Sequence, residues 1–153
     1  EDVILSVGRQ EVLSRPDYVA AVRSFKADDT VPIQLWRRGR THRLTLTADR
    51  FPMDRAENLA FLLLGVRVED LTDRLRRRYR ISPSEGAVIT QIEPDSELAG
   101  IGAEPGDVIA RIDDFPIKDA ADVASAAVKY RLKSSVVILL QRGAHAYYIT
   151  VRM

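Results

Sequence analysis

The chain repeats itself. Shifted by 105 residues, the segment from Asp2 to Arg37 overlays Asp107 to Arg142 without a gap. Asp2-Val3-Ile4 falls on Asp107-Val108-Ile109, Asp17 on Asp122, Ala21 on Ala126, and Val31, Ile33, Leu35 and Arg37 on Val136, Ile138, Leu140 and Arg142. Only 9 of the 36 overlaid positions are identical, but apolar positions match apolar ones through most of the rest. Self-similarity at a fixed offset marks one structural unit present twice. The offset exceeds two thirds of the 153 residues, so both copies cannot be whole. The organisation predicted is the C-terminal half of a first unit over residues 1–52, a linker over 53–60 and a complete second unit over 61–153. A chain that opens in the middle of a unit reads as an excised fragment, so the lack of a visible signal peptide says nothing of the parent's compartment.

A complete unit of roughly 100 residues is an ordinary size for a domain with its own core. With 46% apolar and 29% charged residues the balance is that of a folded globular protein. A net charge of +1 supplies no general pull toward nucleic acid or membranes. The longest apolar stretch, Leu59 to Val66, is far short of the roughly 20 residues needed to span a bilayer. Without cysteine there are no disulfides and no thiolate metal sites, which suits either the cytoplasm or a cell envelope.

Both copies read as strand, helix and hairpin. In the first, Val3 to Val7 is a short strand, Ser14 an N-cap with Pro16 in the first turn, and Tyr18, Val22 and Phe25 an apolar face at helical spacing. Val31, Ile33 and Leu35 alternate as a strand, and Leu44 and Leu46 as its returning partner. The second copy repeats this order with Val108 to Ile112, a helix near Asp119 to Tyr130, Val136 to Leu140 and Tyr147 to Val151. Ahead of these it carries Leu62 to Val68, a helix-like run from Leu71 to Tyr79, a strand from Gly86 to Ile92, and the Ser96 to Asp107 connection. A glycine between aliphatic residues, as in Leu64-Gly65-Val66, lets the backbone turn so that successive N–H groups converge, a nest suited to an anion such as a terminal carboxylate.

At these residues the sequence resembles a known family. Leu64-Gly65-Val66, Ala87 to Ile92 followed by Glu93-Pro94-Asp95-Ser96, Ala99-Gly100-Ile101, Pro105-Gly106-Asp107-Val108-Ile109 and Phe115-Pro116-Ile117 are similar to the PDZ domains of bacterial HtrA/Deg-type (Do-like) serine proteases. The resemblance covers essentially all of residues 60 to 153, and residues 1 to 52 resemble the back half of a preceding domain of the same type. In one departure, Gly102-Ala103-Glu104 intervenes where the family passes to Pro-Gly-Asp in one residue, an insertion expected to alter a surface loop only.

The resemblance implies an α+β fold, a PDZ-like, partly open antiparallel barrel or sandwich capped by two helices, and it implies peptide capture. The loop Leu63-Leu64-Gly65-Val66 would hold a peptide's C-terminal carboxylate, and the ligand would add as a strand beside Val66-Arg67-Val68-Glu69. Its last side chain would enter a pocket walled by the helix Ala120 to Lys129, with Val123 and Ala127 facing the groove as i, i+4 neighbours and Ala126 as the competing register. The alternative is that Leu62 to Leu64 and Val66 are core and the groove is occluded. Partners implied are C-terminal or extended peptides of unfolded proteins and an attached trypsin-like protease domain, in a bacterial periplasm or cell envelope, with no cofactor, nucleic acid or membrane span. Competing readings are a scaffold holding subunits of a protease cage together, and a non-proteolytic envelope protein using the same modules. Exposed edges of the truncated first copy predict association: completion by another chain or packing on the second copy.

Catalysis finds no support in the residues. His42 and His145 stand near hairpin turns, and no nucleophile elbow or metal-binding histidine pair is present. The run Arg74 to Arg80 reads as a solvated helix face, with Leu71, Leu75 and Tyr79 inward and Asp70–Arg74 and Asp73–Arg77 as supporting i, i+4 pairs. Its functional alternative is a contact with an acidic peptide, headgroup or protein surface.

Overall fold

The first unit, Glu1–Phe51, has the buried Val7, Ala21 and Val31 as its core. In the computed structural model, which describes residues 2–153, this unit runs β1 (Val3–Val7), β2 (Gln10–Glu11), α1 (Arg15–Val22), β3 (Thr30–Arg37) and β4 (Arg40–Thr47). The strands form one antiparallel sheet in the order β2-β1-β3-β4. The Ser14 hydroxyl caps α1 by accepting from the Asp17 N–H, with Pro16 in the first turn, as the sequence predicts. Ala21 of α1 is buried with Val7 and Val31, and Val22 and Phe25 pack against them.

The second unit, Pro52–Met153, contains α2 (Ala56–Leu64), β5 (Val66–Asp70), α3 (Asp73–Tyr79), β6 (Ala87–Ile92), α4 (Glu97–Gly100), β7 (Val108–Ile112), β8 (Phe115–Pro116), α5 (Ala120–Tyr130), β9 (Ser135–Arg142) and β10 (His145–Arg152). Its antiparallel sheet has the order β10-β9-β7-β6-β5, with β8 on β7, so β5 and β10 end the sheet and no barrel closes. Ile89, Leu98, Ile109, Ile112, Val123 and Ile138 fill the core between sheet and helices. The α+β class and open antiparallel architecture are those expected from the sequence.

Two elements differ from expectation. Beside α3 and α5, which the sequence predicts, the unit carries α2 and the single turn α4, whose Ser96 hydroxyl accepts from the Ala99 N–H at 3.1 Å. Residues 53–60 are no linker: Met53–Arg55 makes a 3-10 turn and the chain enters α2 at once. The reason is a stripe of Ala56, Ala60 and Leu64 at i, i+4, i+8, all buried, narrow enough for α2 to dock closely on α5.

The two copies match below the level of elements. A bulge interrupts the β1–β3 pairing between Ile4 and Ser6 and the β7–β9 pairing between Ile109 and Arg111, at overlaid positions. Just after each strand, Gly8 N–H donates to Pro32 C=O and Asp113 N–H to Val137 C=O, both at 2.7 Å. Arg37 grips Asp2 as Arg142 grips Asp107. Around Arg142 the inserted loop is put to use: Gly102 C=O accepts from Nη2 at 2.8 Å and Glu104 pairs with Nη1 at 3.1 Å.

Candidate functional site

The site begins at a sheet edge. β5 pairs β6 on one side, with a bulge between Arg67 and Val68, and among the described residues no strand pairs its other side. Alongside runs α5, started by Asp119, whose carboxylate accepts from the Asp122 N–H at 2.9 Å. Asp70 Oδ1 accepts from the Ala120 N–H at 2.8 Å and ties the end of β5 to the start of α5. Between them lies a cleft of about 190 Å³ lined by Val66, Arg67, Val68 and Glu69 of β5, Thr90 of β6, and Ala120, Val123 and Ala124 of α5. Its third wall is α2, through Glu57 and Ala60.

Of the residues singled out from sequence, Val66, Arg67, Val68 and Val123 therefore share one cleft. Ala127 does not line it: like Ala126 it is buried in the core. Ala124 stands on the cleft wall instead, and its i, i+4 relation to Ala120 was the signal for it. Leu63, Leu64 and Gly65 border a different depression, about 360 Å³, with Phe61, Leu62, Glu93, Asp95, Ser96, Glu97, Val151 and Arg152. At the carboxylate nest expected at Leu63 to Val66, the Gly65 amide is already engaged. Gly65 ends α2 in a left-handed conformation with its N–H donating to Phe61 C=O at 2.8 Å, and its own C=O accepts from the Glu93 N–H at 2.8 Å. That amide is spent on the helix, and Glu93 and Asp95 stand nearby, with Glu97 paired to Arg152 at 3.6 Å. The reading of this stretch as core holds for Leu64 and Val66 but not for Leu62, which is 79% exposed.

Charges near the cleft are moderated by their neighbours. The Arg67 guanidinium lies 4.4 Å from the Phe61 ring centroid, and Arg74 reaches Glu69 at 3.8 Å, while Asp70 turns to Ala120. In α3, Arg76 donates to the carbonyls of Pro83 and Ser84, closing the loop that follows, and Leu75 is buried beneath. His42 lies in β4 opposite Leu35, and His145 opens β10 and stacks on Tyr147 at 6.3 Å. Among the described residues no group of His, Cys, Asp and Glu is placed to hold a metal, and no helix is long and apolar enough to cross a membrane.

Comparison with known proteins places this geometry. A family model described as PDZ domain matches residues 63–153. Two proteins named probable periplasmic serine endoprotease DegP-like are similar: one from Bartonella henselae, 26% identical over 92% of this chain and 28% of its own length, and one from Pseudomonas putida, 27% identical over 99% and 33%. The chain thus spans about a third of the length of these curated relatives. The solved structure of the HtrA-type protease AlgW with a decapeptide superimposes with a TM-score of 0.53 at 17% identity, covering 99% of this chain and 54% of that one, a likeness of fold. With more than half its residues matched by that model, and with the edge strand, bulge and flanking helix in place, the chain belongs to the PDZ-domain family.

Proposed function

We propose that the second unit captures extended polypeptide segments, C-terminal ones included, by strand addition to the outer edge of β5. The observation that carries this reading is the unpaired edge of β5 beside a cleft walled by α5. Main-chain hydrogen bonds to β5 supply affinity, and Val123, Ala124 and Ala120 offer a small apolar wall for alternate side chains. The parent is a periplasmic or envelope serine endopeptidase of the kind its relatives are named for, and the domain presents clients to it. The test is a titration of this chain with labelled heptapeptide pools ending in Val, Leu or Phe. Ala120→Phe fills the cleft from a partly exposed position and should weaken binding at least about ten-fold, while amide exchange over 66–70 slows on binding in the unmodified chain. Equal binding by the Ala120→Phe variant would place the ligand elsewhere.

A second reading, assembly, is favoured by the first unit. Val3 and Leu46 are 52% and 51% exposed, whereas Val108 and Val151, 105 residues further on in the second unit, are each 1% exposed. Such apolar positions mark contact surfaces. A sedimentation series over protein concentration should then show association that Leu46→Lys reduces; a monomer at every concentration would remove this reading.

A further inference from the structure

We infer that α2 is a built-in competitor for the groove, closing the end that a free C-terminus would enter, and must give up its last turn before a terminal carboxylate is held. The inference rests on the peptide-capture reading above and adds what the groove selects. Three observations carry it.

The first is occupancy. Ala56 and Ala60 are buried, and Ala60 and Glu57 share the cleft with Ala120, Val123 and Ala124, so α2 walls the groove beside β5 and narrows it. About 190 Å³ remains open, less than the roughly 300–1,000 Å³ of ordinary ligand pockets. A four-residue added strand needs about 13 Å of length.

The second is a single donor with two possible uses. Gly65 N–H donates to Phe61 C=O while α2 is intact. The same N–H is the one a nest at Leu64-Gly65-Val66 would aim at an anion. One amide cannot serve both.

The third is that α2 is weakly made. It has nine residues, its N-cap Arg55 makes no side-chain capping hydrogen bond, and no basic residue stands in its last turn. Isolated helices below roughly 12–15 residues are marginal in water, so α2 is held mainly by the packing of Ala56, Ala60 and Leu64, two of them small. The consequence is two ligand classes. An internal extended segment has only the open end near Asp70, whereas a free C-terminus gains the Gly65 amide by unwinding the end of α2.

Helix propensity tests this without touching the cleft wall. Asn58 and Leu62 are both exposed. The double variant Asn58→Gly, Leu62→Gly should bind free-C-terminal heptapeptides about ten-fold tighter, and Asn58→Ala about three-fold weaker, than the unmodified chain. Amidated peptides should respond less. In the unmodified chain, saturating peptide should speed amide exchange over residues 61–65 while slowing it over 66–70. Equal affinities across the three proteins, with 61–65 still protected in the complex, would overturn the competitor and leave peptide capture standing. Failure of every peptide to bind any of them, with no protection at 66–70, would overturn both.

Discussion

Among the described residues Asp107 is the one buried polar side chain, 2% exposed, and its carboxylate is satisfied by Arg142 Nε and Nη2 at 2.6 and 2.7 Å. These hydrogen bonds hold the Arg142 guanidinium above its ordinary range. Gly65 is under a different constraint. At φ +68° with an added Cβ 2.3 Å from Ser96 Cβ, Gly65→Ala must strain the backbone or push Ser96 aside. It should cost about 2–3 kcal/mol in urea denaturation, against about 1 kcal/mol for Gly143→Ala, which has positive φ but open space; equal costs would refute the close contact. The repeat marked Asp107 and Arg142, with Asp2 and Arg37, as identities between copies but not as partners. The pairing spans 35 residues, and nothing local in the sequence reports it.

Elements were legible where their periodicity was their own. Val31-Ile33-Leu35 and Val136-Ile138-Leu140 alternate, and they are strands; Ser14 and Asp119 are cap residues, and helices start there. By contrast, the residues of α2 read from the sequence as part linker and part loop, because the buried face is built from Ala56 and Ala60, residues too small to stand out as an apolar stripe. What makes them a packing surface is α5, some sixty residues on. The same dependence explains the groove. The β5 residues Val66 to Val68 followed from pattern and resemblance, whereas the choice among Ala124, Ala126 and Ala127 turns on how α5 is rotated, which other helices decide.

Across the second unit, acid sensitivity should concentrate at the turn after β7. Burial raises the Asp113 carboxyl, but hydrogen bonds from Lys133 Nζ and the Val137 N–H, each 2.7 Å, outweigh it and leave it below the usual carboxylate range. Asp114 is lowered by the Tyr130 hydroxyl and by Lys129. A carboxylate with a depressed folded value adds stability that is present above its unfolded pKa, about 3.9, and is lost as pH falls through the folded value. Urea midpoints should therefore hold steady from about pH 7 to 5 and drop below about pH 4, with Asp113→Asn making that drop shallower; an unchanged slope in the variant would assign acid sensitivity elsewhere.

The duplicated carboxylate–guanidinium grip also places one ion pair in two solvents. Asp2 has 37% of its side chain exposed where Asp107 has 2%, although the two pairs stand at overlaid positions. Dissolved ions screen charges they can approach within a Debye length, about 8 Å at physiological ionic strength, and screen buried ones far less. Raising ionic strength therefore loosens the Asp2 pair and spares the Asp107 pair, and the chain carries within itself a measure of what dehydration does to a single electrostatic contact.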